Sequence, residues 1–546
     1  MLKKWQKIPA AIAMGAATLA FALTPVLAVD VTSTNEMTGS GSTNTTTTDV
    51  TNTQTVTNDN TSVVTNTFTI TATTGGNSAS DNTGDGEVGS GDAASSVTSD
   101  TTSNVNTTDL STAGTMSVDS ANSVTGSSST NTTDVTVTND ATVVNTNDLE
   151  VTNTLDLLSD TGGNTADSNT GNGTASSGDA SANGDVSTTG NINDTTVSMA
   201  ADPIDVSNDT TGFDSLNTVL VDVSNTVTVI NDNAPIVPTT ITNDMSLTSL
   251  SGGNSADGNT GDGSVDGGGA DTTVSLATDV NSNMVDIGAG GDLDINMSND
   301  TTGSSSTNSM DASVTNDLTV VNTNDADILN DISMLSDTGG NSASGNTEDG
   351  SVDSGNAGLM ADVATTANSN DVDTGGAFGD IDAMLSNSVT GSSSDNTIDL
   401  SVDNTNTVLN DNVVDVDNLL DIIGLTGDNS ADANTGDGSA SSGDVDVEAE
   451  VTTDVNFNTT DDMAAGDVDV DEENTMTGSG STNDITDTIT NTLTLVNDND
   501  SDVLNDATGT LDTGGNSADG NTGDGEVATG DVDLELDFTT NENMNM

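Results

Sequence analysis

Aliphatic and polar residues alternate along most of the chain. In the segment 485–495 the aliphatic residues share one parity and threonines hold the other; the aliphatic set is Ile485, Ile489, Leu493 and Leu495. The same alternation runs from Val532 to Phe538, where acidic residues take the second parity. A period of two residues with many β-branched side chains predicts strands that bury one face and expose the other. The pattern therefore predicts an all-β protein.

A glycine-rich marker interrupts this alternation at almost constant distance. Its last copy, TGGNSADGNTGDG, spans Thr513 to Gly525, and the earlier copies begin at Thr74, Thr161, Ser251, Thr338 and Thr426. Successive copies start 87, 90, 87, 88 and 87 residues apart. Self-similarity at a fixed period is the signature of a repeat architecture. The chain therefore divides into a leader, 1–28, and six repeats: 29–122, 123–208, 209–299, 300–387, 388–474 and 475–546.

Four strand-and-turn units fit into each repeat. Clusters of Asn and Asp, such as 145–148 and 497–500, predict turns, because these side chains bond to nearby backbone. A third strand follows the marker, as at 445–451, and a weaker fourth includes Val468 and Val470. Units of about 22 residues match one coil of a parallel β-helix, so we expect roughly 24 coils and a rod of about 115 Å. Recurring Asn and Thr would stack in ladders between coils.

The predicted fold is thus an elongated β-solenoid, a parallel β-helix built from six repeats. A string of small β-sandwich modules is the alternative, since about 88 residues also suit an immunoglobulin-like domain. The scarcity of aromatic residues and the lack of linkers argue against it. A largely disordered chain is the third possibility, because low hydrophobicity with high net charge is typical of disorder. Pro203, Pro235 and Pro238 set the third repeat apart, and we expect 234–239 to be a loop or bulge.

The leader has the order of a secretory signal. Lys3, Lys4 and Lys7 precede an apolar run from residue 8 to residue 27, and a Val26-Leu27-Ala28 site precedes Val29. We expect cleavage before Val29 and a secreted, extracellular protein at the cell surface. An uncleaved membrane anchor is the alternative, because the run approaches spanning length.

Charge restricts the partners of the exported chain. The sequence contains 3 Lys plus Arg and 88 Asp plus Glu, with no His and no Cys, and all three cations lie in the leader. Without internal cations, self-repulsion must be relieved by solvent, salt or bound metal. Nucleic acid and anionic membrane surfaces are excluded as partners, because binding them requires Lys and Arg. The predicted partners are therefore divalent cations, cell-surface glycans or the chain itself.

The marker is the candidate metal site. It places carboxylates and amides at short spacing on a tightly turning loop, which suits the oxygen ligands of Ca²⁺. The candidate ligands are Asp85, Asp167, Asn169, Asp257, Asn259, Asp262, Asp432, Asn434, Asp437, Asp519, Asn521 and Asp524. The stretch looks like DxNxDG calcium loops and like the GGxGxD turns of calcium-binding β-rolls, but Gly523 stands where the fifth ligand would be. A solvent-exposed Gly/Asn turn is the alternative interpretation.

The residue types exclude most catalytic chemistry. Without His or Cys, the nucleophile–base pairs of hydrolases cannot form. A pair of carboxylates could still catalyse glycoside hydrolysis. However, the six repeats are nearly equal, so the sequence does not single out any one pair. We therefore predict that the protein is not an enzyme.

The markers and the Thr/Asn/Asp/Gly composition resemble tandem-repeat cell-surface proteins of bacteria and archaea: adhesin-like stalks, sheath proteins and S-layer-type proteins. The resemblance implies a structural or adhesive role for an acidic rod stabilised by divalent cations. The alternatives are a soluble cation- or mineral-binding polyanion, and an ice- or polysaccharide-binding array on Thr-rich faces such as 45–48 and 486–494. Asn-Thr-Thr sequons at Asn44, Asn131 and Asn458 are candidate glycan acceptors.

The two ends of the repeat region predict self-association. Residues 29–35 match the spacer 468–474, whereas no such segment follows Phe538. One subunit completing the next, head to tail, would give a filament by strand complementation. An accidental duplication boundary is the alternative.

Overall fold

The chain forms four parallel β-sheets that run through all repeats. The computed structural model describes residues 10–13, 18–22, 29–111, 116–198, 203–233, 235, 237–288, 292–375, 380–461 and 467–546. Within these ranges every strand pairing is parallel and no helix occurs. The predicted all-β solenoid is confirmed.

The strands, in chain order, are β1 (Ala10–Ala13), β2 (Thr18–Ala22), β3 (Val29–Glu36), β4 (Thr43–Thr73), β5 (Gly86–Gly89), β6 (Ala93–Ser111), β7 (Met116–Ser123), β8 (Thr130–Asp160), β9 (Gly173–Ser176), β10 (Ala180–Ser198), β11 (Ile204–Asp209), β12 (Leu216–Asp232), β13 (Thr239–Leu250), β14 (Gly263–Asp266), β15 (Ala270–Gly288), β16 (Leu293–Asp300), β17 (Thr307–Asp337), β18 (Gly350–Asp353), β19 (Ala357–Asp373), β20 (Ile381–Ser388), β21 (Asp395–Leu425), β22 (Gly438–Ser441), β23 (Val445–Asp461), β24 (Val468–Thr475), β25 (Thr482–Asp512), β26 (Gly525–Ala528) and β27 (Val532–Asn545).

Each successive length of about 88 residues, counted from β3, contributes one strand to each sheet, except that the third contributes two, β12 and β13, to the long sheet. The short sheet contains β3, β7, β11, β16, β20 and β24; the long sheet contains β4, β8, β12 with β13, β17, β21 and β25. The marker sheet contains β5, β9, β14, β18, β22 and β26; the return sheet contains β6, β10, β15, β19, β23 and β27. We call one successive set of strands from the four sheets a rung.

One repeat makes one rung, not four coils. Asn153 pairs with Asn66 in the rung before and with Asn243 in the rung after, a full repeat away on each side. Six rungs at about 4.8 Å span roughly 29 Å, so the prediction of 24 coils and a rod of about 115 Å is wrong. Sheets that continue across all repeats also rule out separate sandwich modules.

The predicted turns at 145–148 and 497–500 are wrong for the same reason. Both segments lie inside uninterrupted strands of 31 residues, β8 and β25. Asn145 and Asn147 are completely buried and bond to asparagines of the next rung at 2.7 and 2.8 Å. Because the neighbouring rung satisfies these amides, the local backbone bonds that would make a turn are not needed. The expected strands at 445–451 and around Val468 are confirmed as parts of β23 and β24.

The cross-section is a flattened two-layer loop. The first part of the long sheet packs against the short sheet, as Val135 and Val219 do against Val118 and Ile204. Its later part packs against the return sheet through residues such as Leu155. Alternate side chains point into these cores, which accounts for the period-two pattern.

Asparagine ladders cross the core from rung to rung. In the second rung ten asparagines each donate from Nδ2 to Oδ1 of the equivalent asparagine in the third rung, over 2.7 to 3.1 Å; they are Asn122, Asn131, Asn139, Asn145, Asn147, Asn153, Asn164, Asn169, Asn191 and Asn193. The predicted Asn ladders are thus confirmed, at a step of one whole repeat. Most members are buried, so each ladder satisfies polar groups that would otherwise oppose folding.

The ladders also bear on the sequons. Asn131 and Asn458 have no exposed surface, and each donates to the asparagine of the next rung over 2.8 and 2.9 Å. Asn44 likewise donates to Asn131. The folded chain therefore does not present Asn131 and Asn458 to a glycosylating enzyme, whereas Asn44 is half-buried in the first rung and stays a predicted acceptor.

Glycine is required where successive markers stack closely. A Cβ on Gly252 would lie 1.9 Å from the carbonyl oxygen of Gly339, and one on Gly339 would lie 2.2 Å from that of Gly427. The next residue in the marker, Gly253, has φ of +73°, a conformation that favours glycine. The TGG sequence therefore recurs because the rungs approach at this turn without room for a side chain.

Two other sequence features have structural counterparts. The third rung splits its long strand into β12 and β13, so the interruption expected at 234–239 is confirmed; residues 234 and 236 lie outside the described residues. Within the leader, β1 and β2 pair with the outer edge of β6, with Ala10 opposite Val97 and Thr18 opposite Val105. The expected cleavage site at Ala28 lies outside the described residues.

We predict that replacing one ladder asparagine destabilises the fold strongly. Asn322 accepts from Asn231 and donates to Asn410, both over 2.8 Å. Asn322→Ala leaves the Nδ2 of Asn231 and the Oδ1 of Asn410 unpaired in the core, and each unpaired group costs about 1–3 kcal/mol of stability. We expect a loss of roughly 2–4 kcal/mol, measured from the shift of the guanidinium unfolding midpoint.

The matched control is Thr323→Ala. Thr323 follows Asn322 in β17 but faces outward and is half-buried, so its truncation should cost less than about 1 kcal/mol. Equal losses for the two variants would show that the ladder contributes nothing specific.

Candidate functional site: the marker turns and the outer face of the long sheet

The marker turns stack into columns of equivalent residues. The loop before each marker-sheet strand packs an alanine, such as Ala166 or Ala256, against the strand itself. Each loop is joined to its neighbours by backbone hydrogen bonds, for example from the amide of Ala166 to the carbonyl of Ser255, over 2.8 Å. The twelve candidate ligands occupy three of these columns, one with the asparagines and two with the aspartates.

The asparagine column is part of a buried ladder. Asn169, Asn259 and Asn434 are each 1% exposed. The Oδ1 of Asn259 accepts from both the backbone amide and Nδ2 of Asn169, over 2.9 and 3.0 Å. The Oδ1 of Asn521 accepts the backbone amide of Asn434. These amide oxygens point along the ladder, and their role in the fold is to join rungs.

The first aspartate column joins rungs through hydroxyls and backbone amides. Asp167 accepts from Ser255 Oγ and from the amide of Asp257, over 2.6 and 2.8 Å. Asp257 accepts in the same way from Ser342 Oγ and from the amide of Ser344. Asp432 accepts from Ser517 Oγ and from the amide of Asp519. Each carboxylate therefore joins its own marker to the marker of the following rung, and we call this pair of hydrogen bonds the aspartate clasp.

The hydrogen bonds of this clasp change the acidity of Asp432. Burial acts to raise its pKa, but the hydrogen bonds from Ser517, from the amide of Asp519 and from Ser430 together lower the pKa below the ordinary value. Charge-assisted bonds of this kind favour the ionised carboxylate. The clasp is thus strongest when Asp432 is charged.

The second aspartate column is exposed to solvent. Asp85 accepts the amide of Asn172, Asp262 accepts that of Asp349, and Asp437 accepts that of Asp524, over 2.9, 3.2 and 2.7 Å. Asp349 extends the same column by accepting the amide of Asp437. Successive carboxylates are therefore one rung apart, about 4.8 Å. Within the described parts of the chain, no group of three or more acidic side chains has an arrangement that would hold a metal ion.

The outer face of the long sheet is a regular array of threonine and aspartate. In β4 the outward positions are the odd-numbered residues from 43 to 73, and all are threonine except Asp49, Asp59 and Val63. One column is threonine in all six rungs: Thr55, Thr142, Thr228, Thr319, Thr407 and Thr494. Aspartates become frequent in later rungs, as in β21 at Asp399, Asp403 and Asp415.

Stacking of equivalent acids changes their acidity. Burial and the charges of Asp399 and Asp222 raise the pKa of Asp311. Burial and the charges of Asp417 and Asp502 raise the pKa of Asp415. Each of these groups therefore holds a proton more tightly in the folded chain than in the unfolded one.

Neither the chain's sequence nor its fold matches any known family model, curated protein or solved structure. The described residues contain no helix of the length and apolarity needed to cross a membrane.

Sequence reasoning missed the outer face as a two-dimensional surface. The threonine segments were visible, but which residues lie side by side depends on the register of 86 to 91 residues between rungs. The unbroken threonine column at one position of every repeat was the signal that alignment of the repeats could have revealed.

We predict that the fold is more stable in mild acid than at neutral pH. Since acids such as Asp311, Asp325 and Asp415 have a pKa raised above 3.8, their contribution is greatest near and below pH 3.8 and is lost as pH rises through the raised values. The melting temperature in low salt should therefore be higher at pH 4.5 than at pH 7.5.

The control is ionic strength. About 1 M NaCl shortens the screening length to about 3 Å, so the difference between the two pH values should shrink. A melting temperature that falls on acidification in low salt would show that bonds of the Asp432 type dominate instead.

Proposed function

We propose that the chain is an exported structural protein of the cell surface, whose flat outer face binds an extended, repetitive partner such as a cell-surface glycan. The observation that supports this most is the threonine–aspartate array on the long sheet, which is in register over six rungs. Such a surface offers hydroxyls and carboxylates at spacings of about 4.8 Å across strands and about 6.8 Å along them. A partner with its own repeat would meet many equivalent groups at once.

The leader supports the exported location. It has the charge order and the cleavage-site pattern of a secretory signal. Without β1 and β2, each of the four sheets still contains strands from all six rungs. The pairing between rungs therefore needs no strand of the leader.

Divalent cations are the proposed ionic partners. The solvent-exposed column that includes Asp262, Asp349 and Asp437 uses one oxygen of each carboxylate for the next rung. The other oxygens form a line of negative charge to which Ca²⁺ or Mg²⁺ would be attracted. In this proposal cations neutralise the column as a whole and the coordination is shared with water.

Binding to an ordered solid such as ice is the second candidate function. It is favoured by the unbroken column from Thr55 to Thr494, because flat threonine arrays pair a methyl group and a hydroxyl at each position. The competing soluble polyanion would use only net charge and would require no register between threonines.

The test combines location with a face-specific variant. Fractionation of producing cells should recover the chain in the envelope or medium, with Val29 as its first residue. Binding to isolated envelope polysaccharide, measured by co-sedimentation, should fall about tenfold or more for Thr319→Lys, which inserts a bulky cation into the array.

The matched control is Thr273→Lys on the return sheet. Thr273 and Thr319 both face outward and are half-buried, but they lie on opposite sides of the solenoid. A full-length chain in the cytoplasm would refute the proposed location, and equal effects of the two variants would refute the proposed face. Thermal hysteresis without polysaccharide binding would select the ice-binding function.

A further inference from the structure

The last rung of the solenoid has open strand edges and uncovered core positions. In the last rung, interior-facing Leu495, Leu534 and Phe538 are 46%, 49% and 37% exposed, whereas equivalents such as Val408 and Val451 in the rung before are completely buried. An open edge with exposed apolar side chains is a template for another strand. The occupant that the structure favours is a second copy of this chain.

The asparagine ladders have a direction, and this direction fixes the orientation of the second copy. Every ladder donates from Nδ2 toward the later rung, as Asn58 does to Asn145 and Asn410 to Asn497. The first rung therefore ends in acceptors and the last rung in donors. Head-to-tail stacking joins donors to acceptors, while joining two equal ends would not.

Unsatisfied atoms are present at the acceptor end. Asn58 is 2% exposed and its Oδ1 has no hydrogen-bond partner within the described chain. Ser33 is 1% exposed and its Oγ is likewise unpaired. Asn58 and Asn497 are the first and last members of one column. In a head-to-tail stack the Nδ2 of Asn497 in one copy would therefore donate to the Oδ1 of Asn58 in the next. The stack thus supplies a buried acceptor with the donor that the described part of its own chain lacks.

The two ends also complement each other in size. Columns that end in Leu534 and Phe538 begin with Ser95 and Ser99, so the larger apolar groups would meet the smaller residues. Strands of 31 residues at about 3.3 Å each, with about 10 Å between the sheets, enclose roughly 1,000 Å². This exceeds the roughly 800 Å² per partner of a stable protein interface.

Two acidic residues occupy core positions at the joint, which is the contact between the last rung of one copy and the first rung of the next. Glu472 and Asp487 follow Leu385 and Leu400 in their columns, and the columns begin with Ser33 and Thr48. The hydrogen bond that protonated Glu472 donates to Asp487, then burial and the charge of Asp487, raise the pKa of Glu472. A stacked copy would enclose this pair between leucines on one side and hydroxyls on the other.

No other ionisable group faces the pair from the strands around it. The inward neighbours on β24 and β25 are Val470, Asn474, Ile485 and Ile489, while Asp471 and Glu473 lie on the opposite parity. Enclosing two carboxylates together is costly unless they share a proton. Closing the joint is therefore linked to proton uptake by this pair.

We propose that copies of this chain stack head to tail, with β3–β6 of one copy on β24–β27 of the next, and that the Glu472–Asp487 pair makes the stacking favourable in acid. The sheets and asparagine ladders then continue through the joint. The step rests on the proposed loss of residues 1–28, because β1 and β2 hold the edge of β6 that β27 would use. It is independent of glycan binding.

The test uses the chain from Val29 onward, so its result does not depend on whether cells remove the leader. Sedimentation velocity and electron microscopy at pH 4.5 and 7.5 should show acid-dependent polymers with an axial repeat of about 29 Å per copy. Uptake of one proton per joint changes the association constant by up to about tenfold per pH unit. The double variant Glu472→Gln with Asp487→Asn should polymerise at pH 7.5, whereas Glu473→Gln should keep the original pH dependence.

A matched pair tests the register. Leu495→Asp places a charge on the end face and should abolish stacking, whereas Val496→Asp, equally exposed at 46% but facing outward, should retain it. A monomer at both pH values with an intact strand spectrum would overturn the proposal. Equal effects of the two aspartates, or end-to-end dimers that do not grow, would overturn the head-to-tail orientation.

Discussion

The amide ladder is the interaction on which this architecture depends. The interior of a rung contains many buried asparagines beside its aliphatic side chains. Each of those amides finds its partner in the equivalent residue of the next rung, as Asn231 does in Asn322. Because a slip by one residue would turn every asparagine outward and break all ladders together, the ladders fix the register as well as satisfy the core.

The same register creates the main opposing force. Stacking equivalent residues at about 4.8 Å places like charges next to each other wherever a column holds aspartate, and two charges at that distance repel by about 1 kcal/mol even in water. The chain offsets part of this by using carboxylates as acceptors for backbone amides and serines, as Asp257 does for Ser342 and Ser344. The remaining repulsion makes protons and divalent cations natural regulators of stability.

Both proposed functions follow from the in-register stacking of the rungs. The stacking yields a regular outer array, which supports binding to a repetitive partner. It also yields polar ladders with a donor end and an acceptor end, which support growth by head-to-tail stacking. An adhesive surface on a growing polymer would present the same array many times over. The Glu472–Asp487 pair would then link assembly to the acidity of the medium.

Sequence reasoning gave the strands, the repeat and the existence of Asn ladders, because these depend on local alternation and on period. It failed on the length of a coil, since the rule that Asn/Asp clusters make turns holds for solvated segments and not for Asn145 and Asn147, which are buried. The marker was correctly identified as a loop, but the roles of Asn259 and Asp257 as bonds between rungs required the register. Glu472 and Asp487 lie on different strands, so their meeting was not visible in the sequence.

Pulsed electron-spin resonance between two labels tests the central claim, one rung per repeat, most directly. The protein has no cysteine, so Thr142→Cys and Thr494→Cys provide two unique outward sites in one column of the long sheet. Four rung spacings predict a separation of about 19 Å between the backbone positions, to which the label arms add a few ångströms. Four coils per repeat would place the same sites roughly 77 Å apart. A distance near the shorter value supports the account, and one near the longer value would contradict it.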